Sequence, residues 1–194
     1  MTDPGALPAA ALPAAVRAQF PAALRDALLA LRRDLHRHPE LSFREERTAV
    51  RLAAALEPLA PAALTSLARV AGTGVVARLR GRDPAAPVVA IRGDIDALPI
   101  QEATELDYAS TVPGVMHACG HDVHASWTVG AAHLLAAAPA AGDVVVVLQP
   151  AEETGAGAVA MVEAGALDGV AAIFGAHVDR RFAVGEVVVD DGPL

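Results

Sequence analysis

The sequence contains no lysine, a single cysteine and few aromatic residues. All 15 basic residues among its 194 are therefore arginine, and aromatic residues make up 3%. One cysteine excludes an internal disulfide framework, a usage that fits a reducing cytoplasm. The net charge of −8 argues against nucleic acid or an anionic membrane surface as a partner.

Long apolar runs are missing as well. The sequence has no run of about 18 apolar residues, so no membrane span is predicted. It also has no basic region followed by an apolar stretch near its N-terminus, so no signal peptide is predicted. We therefore expect a cytoplasmic protein. The Pro- and Ala-rich residues 1–15 are expected to form a loose lead-in. With 54% hydrophobic and 20% charged residues, residues 16–194 have the composition of a folded domain.

Hydrophobic periodicity predicts helices alternating with strands. The leucines from Leu24 to Leu35 recur at helical spacing, and Pro39 ends that helix. A second helix is predicted to begin at Ser42, which has capping-box spacing with Glu45. The predicted helices span 16–37, 42–57, 122–138 and 155–167, and the predicted strands span 74–81, 88–94, 143–150, 170–177 and 185–190.

This alternation predicts an α/β fold with three α/β/α layers around a mixed, mainly parallel sheet. The short, turn-rich link between the strands at 74–81 and 88–94 predicts that these two strands form a hairpin. The continuous β-branched run at 143–150 is typical of a strand buried on both faces.

Polar residues of unusual kinds follow the predicted strands. They are Asp94 and Asp96 after one strand, Glu152 and Glu153 after another, His177 after a third, and Cys119, His121 and Asp122 at a helix start. In open α/β sheets, ligands bind outside the carboxyl ends of the strands. We therefore expect these side chains to meet at one edge of the sheet.

Each of these residues alone also has an ordinary explanation. The acidic residues suit turns, caps and the first turns of helices. Cys119 fits a buried, inert position, and His177 fits a hydrogen-bonded loop. His36 and His38, near a helix C-terminus, are predicted to be structural, and so is His133. His124, one turn after His121, is predicted to lie behind the site, and the role of His117 stays open.

Thiolate, imidazole and carboxylate groups are the protein ligands of zinc and its neighbours. Cys119 and His121 lack the spacing of a structural zinc finger, so the pattern favours a catalytic metal site supplied by distant loops. A thiolate is favoured at a helix start beside a cation. An alternative makes Cys119 a nucleophile with His121 or His124 as its base, but it leaves Glu152 and Glu153 without a role.

Six segments together resemble one known family. They are LRRDLHRHPELSFREERTA (31–49), GTGVVARL (72–79), IRGDIDALPI (91–100), MHACGHDVHA (116–125), VVLQPAEETGAGA (146–158) and GAHV (175–178). In this order and spacing they are similar to the M20 metallopeptidases. More narrowly they resemble the amidohydrolase branch, which contains hippurate hydrolases, N-acyl-amino-acid amidohydrolases and auxin-conjugate hydrolases.

The resemblance implies a two-metal site that hydrolyses the amide bond of small N-acyl amino acids. The implied metal ligands are Cys119, His121, Glu153 and His177. Glu152 is the implied general base, which takes a proton from the attacking water and passes it to the leaving amine. Asp94, Asp96, Asp122 and His124 are expected to support this site from behind. The implied cofactors are two divalent ions, manganese or zinc.

Family members are longer than this chain. They carry an inserted dimerisation and lid domain, and a further histidine ligand after it. We therefore expect residues 16–194 to be the N-terminal portion of the catalytic domain, with the family's homodimer surface lying elsewhere. The alternative to an active amidohydrolase is a chain that folds and binds metal without turnover.

Overall fold

Helices and strands alternate along the chain in the computed structural model, which describes residues 20–59, 62–183 and 186–188. The helices are α1 (Ala22–Arg37), α2 (Glu46–Leu56), α3 (His121–Ala137) and α4 (Ala156–Glu163), with a 3₁₀ turn at Glu57–Leu59. The strands are β1 (Leu64–Val70), β2 (Gly74–Leu79), β3 (Val88–Asp94), β4 (Val144–Gln149) and β5 (Val170–Gly175).

The five strands form one sheet in the order β1-β2-β4-β3-β5. β1 pairs with β2 and β2 with β4 in antiparallel fashion, whereas β3 runs parallel to both β4 and β5. The α/β prediction with a mixed sheet is confirmed, and the four pairings of the described strands divide equally between the two directions.

The predicted hairpin between β2 and β3 is wrong. β4 lies between these two strands and pairs with both of them. The hairpin partner of β2 is instead β1, a strand that the sequence pattern did not reveal. Ala71 and Gly72, both with positive φ angles of 50° and 79°, form the turn between them. The turn-rich link after β2 is thus a crossing connection.

The core lies on both faces of the sheet because β4 is buried along its whole length and is apolar from Val144 to Leu148. Val144, Val146 and Leu148 pack with α1, α2 and α3 on one face. Val145 and Val147 pack with α4 and the segment after it on the other. This alternation follows from the two-residue period of a strand, and it produces the three layers predicted from the sequence.

The capping box predicted for the second helix is wrong. The helix begins at Glu46, and its N-cap residue Glu45 makes no side-chain capping hydrogen bond; the Glu40 carboxylate accepts the first-turn N–H groups of Arg47 and Thr48 instead. Ser42 Oγ instead donates to Asp96 Oδ2 at 2.7 Å, and the buried Glu45 carboxylate accepts hydrogen bonds from Thr73 and Ala151. For Ser42 and Glu45, contacts with distant parts of the chain have replaced the local capping interactions.

Helix α3 packs closely against β3 at Gly93. A Cβ atom at Gly93 would lie 2.5 Å from Thr128 Oγ1 and 2.7 Å from the His124 carbonyl oxygen. Only glycine therefore lets the helix approach this strand so closely. As a result, side chains from the first turn of α3 reach the residues that follow β3.

Three predicted features fall wholly or partly outside the described residues. The lead-in at 1–15 and the start of the first predicted helix lie outside them. Of the strand predicted at 185–190, only residues 186–188 are described, and they are not in a strand. None of the described helices is long and apolar enough to cross a membrane.

Candidate metal centre

One edge of the sheet collects the polar residues that follow its parallel strands. β3, β4 and β5 run in the same direction, so the residues just beyond their carboxyl ends share this edge. The N-terminus of α3, entered through Gly120 with a φ of 89°, reaches the same place. The sequence-predicted residues that meet there are Asp94, Asp96, Cys119, His121, His124, Glu152, Glu153 and His177.

His121 stands at the centre of this group and is almost fully buried. Its Nδ1 donates to the Asp96 carbonyl oxygen at 2.9 Å and lies 3.2 Å from Asp96 Oδ1. Its Nε2 has no hydrogen-bond partner. That atom lies 3.6 Å from Asp94 Oδ2, 3.7 Å from Glu152 Oε2 and 3.7 Å from Glu153 Oε1. A buried ring nitrogen without a hydrogen-bond partner thus faces three carboxylates.

Negative charge dominates the electrostatics around His121. Burial by itself favours the neutral ring, but the hydrogen bond to Asp96 and the charge of Asp94 outweigh it and raise the pKa of His121. The site therefore attracts positive charge, as a proton on the ring or as a cation in its place.

Cys119 and His177 form the outer side of the group. Cys119 Sγ lies 3.3 Å from His177 Nε2, and both atoms are within 4.8 Å of a His121 ring nitrogen. Burial and the neighbouring Glu153 carboxylate raise the pKa of the Cys119 thiol to about 11. The thiolate predicted at this helix start therefore forms near neutral pH only when a bound cation offsets the charge of the nearby carboxylates.

The same pKa disfavours the alternative in which Cys119 is a nucleophile. A nucleophilic cysteine needs a thiolate near neutral pH, which nearby positive charge normally supplies. Here the surrounding charges are carboxylates, and they hold the proton on the sulfur. In the metal-free protein these charges therefore oppose nucleophilic attack by the Cys119 sulfur.

Asp94 and His124 form a buried pair behind the central histidine. Asp94 Oδ1 accepts from His124 Nδ1 at 2.6 Å, and Arg92 contacts Asp94 Oδ2 at 2.7 Å. With its Nδ1 proton engaged, His124 accepts at Nε2 from the Val178 backbone N–H at 3.0 Å. His124 thereby ties the loop that carries His177 to the strand edge. Despite burial, hydrogen bonding to His124 and nearby positive charge lower the pKa of Asp94.

Asp96 connects three parts of the edge. Besides His121 and Ser42, its carboxylate accepts the backbone N–H groups of Glu152 and Glu153, each at 3.1 Å. Burial raises the pKa of this carboxyl, but these hydrogen bonds lower it by more. Asp96 therefore stays ionised, and it fixes the backbone position of Glu152 and Glu153.

Asp122 does not join this group, although the sequence motif places it next to His121. Its buried carboxylate lies 2.8 Å from Arg32 Nε and 2.8 Å from His36 Nδ1, both on α1. It therefore fastens the start of α3 to α1. His36 also contacts Glu102 at 3.1 Å, so its structural role comes from ion pairing rather than from the helix dipole.

Two further histidines lie outside the group. His117 is buried with no hydrogen bond to either ring nitrogen, and burial lowers its pKa to about 4. His133 lies away from this edge, and its Nε2 donates to the Ala55 carbonyl oxygen at 3.0 Å.

Glu45 and Ser42 are the contributors to this edge that the sequence reasoning missed. Their spacing predicts a local helix cap, and no spacing signal links Ser42 to Asp96 or Glu45 to Ala151, which lie 54 and 106 residues away. A buried glutamate with no local partner is recognisable only once the fold is known.

Comparison with known proteins assigns the chain to a family. Residues 90–190 match the model of peptidase family M20/M25/M40. The chain is 48% identical over 169 residues to the N-acetylcysteine deacetylase of Bacillus subtilis, covering 86% of this chain and 44% of that protein. It is 43% identical over 176 residues to the Arabidopsis thaliana IAA-amino acid hydrolase ILR1-like 4, covering 87% and 38%.

A solved structure supports the same assignment. The chain superimposes with a TM-score of 0.83 and 48% identity on the Bacillus subtilis YXEP protein, described as a dinuclear metal binding peptidase from the M20 family. That match covers 89% of this chain and 48% of the other. The chain thus spans less than half the length of these three relatives, and it belongs to peptidase family M20/M25/M40.

Proposed function

We propose that the protein is a metal-dependent hydrolase that cleaves the amide bond of small N-acyl amino acids. The observation that carries the proposal is the His121 ring: its Nε2 is buried without a hydrogen bond and lies within 3.7 Å of three carboxylates, and the Cys119 thiol and the His177 imidazole lie close to the same ring. Two relatives support the substrate class, since their names specify N-acetylcysteine and IAA-amino acid conjugates.

The donor set fits a pair of divalent ions. We assign Cys119, His121, Glu153 and His177 as the ligands, which together offer sulfur, nitrogen and oxygen donors. Zinc accepts all three kinds of donor, and oxygen and imidazole donors also suit manganese. We propose two ions, zinc or manganese, because the related YXEP protein is described as binding a dinuclear metal.

Glu152 is the proposed general base. When bound, a divalent metal ion lowers the pKa of water and polarises a carbonyl group. The Glu152 side chain is 40% exposed, and its Oε2 lies beside the ligand set, 3.7 Å from His121 Nε2. From there the Glu152 carboxylate takes the proton from the attacking water and delivers it to the nitrogen of the leaving amine.

The buried residues behind the ligands orient them. Asp96 fixes the His121 tautomer by engaging Nδ1, which leaves Nε2 to face the ion. Asp94 and His124 hold the loop that carries His177. Asp122 anchors the helix that begins with His121. In this proposal the described residues are part of a catalytic domain, and the protein works in the cytoplasm as a homodimer.

Metal removal and restoration test the proposal. The purified protein is treated with a chelator, reconstituted with Mn²⁺ or Zn²⁺, and assayed on N-acetylcysteine and hippurate. We expect amide hydrolysis to disappear with the chelator and to return with metal. Hydrolysis that is indifferent to the chelator would contradict the proposal. Two bound equivalents of metal without any hydrolysis would favour the alternative of a metal-binding chain without turnover.

A further inference from the structure

The turn that follows β4 carries the two glutamates and is conformationally unusual. Ala151 has a φ of 49°, in the left-handed region that a residue with a Cβ atom adopts only at a steric cost. Glu152 and Glu153 follow directly. The positions of both carboxylates therefore depend on what holds Ala151 in this conformation.

Glu45 supplies that contact. Its fully buried Oε1 accepts the Ala151 backbone N–H at 2.9 Å, and its Oε2 accepts from Thr73 Oγ1 at 2.5 Å. Asp96 accepts the next two backbone N–H groups. Two carboxylates thus accept three consecutive N–H groups: Glu45 accepts the first and Asp96 the next two.

The other side of the turn is closed. Gly157 donates its N–H to the Ala151 carbonyl oxygen at 3.1 Å, and a Cβ atom at 157 would overlap the Pro150 carbonyl. Ala151 itself is fully buried. The turn is therefore packed from both sides, and Glu45 is its contact to the far side of the sheet edge.

We propose that Glu45 is a positioning residue for the metal centre. By holding the Ala151 N–H, it fixes the left-handed turn that directs Glu152 and Glu153 toward His121 Nε2. The inference rests on the proposed function, in which Glu153 binds metal and Glu152 moves protons. It assigns to Glu45 a role in shaping the site without contact to metal or substrate.

The experiment compares two substitutions that differ only in hydrogen bonding. Glu45→Met fills the same space but removes both acceptor oxygens. Glu45→Gln keeps a carbonyl acceptor for the Ala151 N–H, and its amide can donate to Thr73 Oγ1. Glu46→Met is the matched control, since the neighbouring Glu46 is 67% exposed and pairs with Arg69.

The first measurement is Co²⁺ titration of the metal-free protein, followed by the absorption band of a thiolate bound to Co²⁺. We expect Glu45→Met to weaken Co²⁺ binding by about ten- to a hundredfold, the usual effect of losing a group behind the ligands. We expect Glu45→Gln to stay within about threefold, because the acceptor is retained. Glu46→Met is expected to bind Co²⁺ as the unchanged protein does.

The second measurement is hydrogen exchange at individual backbone amides, which does not depend on metal. In Glu45→Met the Ala151 amide is expected to lose on the order of tenfold protection. The Ile95 amide, which donates to Gln149 at the same edge, is expected to keep its protection. Unchanged Co²⁺ affinity, or an unchanged Ala151 amide, in a folded Glu45→Met protein would overturn the proposal.

Two remaining outcomes are also decisive. If Glu45→Met does not fold, Thr73→Val removes only the hydroxyl that orients Glu45, and about threefold weaker Co²⁺ binding is expected; no change would refute the inference. If the unchanged protein binds no Co²⁺, the proposed function fails. Exchange at Ala151 then still decides whether Glu45 holds the turn.

Discussion

The candidate metal centre has a buried side and an exposed side that are built differently. The buried side consists of Asp94, Asp96, His121 and His124, each no more than 1% exposed. The exposed side consists of Cys119, Glu152, Glu153 and His177. The Glu152 and Glu153 side chains are 40% and 21% exposed, and His177 is exposed as well.

Hydrogen bonding separates the two sides even more sharply than exposure. Apart from His121 Nε2, the polar side-chain atoms of the buried side all have protein partners within the described residues. The Glu152 and Glu153 carboxylates each lie 3.7 Å from His121 Nε2, and Glu153 also lies beside the Cys119 thiol. Orientation therefore resides in the buried side, whereas the proposed reacting groups stand where a ligand can reach them.

The largest effect on activity is expected from the exposed side. Glu152→Gln removes the proposed base, so hydrolysis by the metal-loaded protein should fall about 10²- to 10⁴-fold. Its free energy of unfolding should change by less than about 0.5 kcal/mol, as is usual for partly exposed positions. Assays of turnover and urea unfolding measure both quantities, with Glu163→Gln on α4 as the control. A large loss of stability would erase the distinction between the two sides.

The largest effect on stability is expected from the buried side. Asp94→Ala removes the carboxylate that contacts both His124 and Arg92. Because the Arg92 side chain is 25% exposed and keeps its hydrogen bond to Gln149, we expect a loss near the low end of the about 3–5 kcal/mol that breaking a buried ion pair costs. Urea unfolding of the metal-free protein checks this value. The control is Asp26→Ala, whose exposed pair with Arg25 contributes only about 0–1 kcal/mol. Equal losses for the two variants would show that burial makes no difference.

Chemical modification of Cys119 tests the charge of the exposed side. Burial and Glu153 raise the pKa of the thiol to about 11, so alkylation of metal-free protein at pH 8 should be on the order of a hundredfold slower than that of a free thiol. The rate should then rise about tenfold per pH unit up to pH 10. Mass spectrometry follows the rate of alkylation. Fast alkylation at pH 8 would show that the carboxylates do not raise the pKa of the Cys119 thiol.

A smaller effect is expected from His36, which lies behind the buried side. Burial lowers the pKa of His36, but the carboxylates of Asp122 and Glu102 raise it by more. A raised pKa in the folded protein stabilises it below the unfolded pKa of about 6.5, and this contribution is lost as pH rises through the folded pKa. The difference in unfolding free energy between the unchanged protein and His36→Gln should therefore shrink from pH 5 to pH 9.

Urea titrations across that pH range measure this difference. A constant difference would indicate that His36 is neutral throughout and that its contacts with Asp122 and Glu102 are ordinary hydrogen bonds.

Much of the fold and the position of the site could be predicted from local sequence. Polar residues at strand ends predicted the edge at which Asp94, Glu152 and His177 meet, because parallel strands share that edge. What could not be predicted depends on distant pairing. β4 enters between β2 and β3, and nothing in the link between those two strands reveals this.

The capping box shows the same limit at the level of single residues. Ser42 and Glu45 have the spacing of a helix cap, yet they bond to Asp96 and Ala151. Local spacing describes what a residue is able to do nearby, and burial elsewhere decides which hydrogen bond it makes. Asp122 likewise follows His121 in sequence but turns toward α1.

The strand order also has a consequence for how the chain folds. β1 and β2 are able to pair early, but β3 has no neighbour until β4, which lies 50 residues further along, inserts beside it. Until then the inner edges of β2 and β3 carry unpaired backbone groups that favour association with other chains. Because β4 also leads into the turn at Ala151, the step that closes the sheet is the step that completes the glutamate side of the metal centre, and a chain that has not finished folding has no such site.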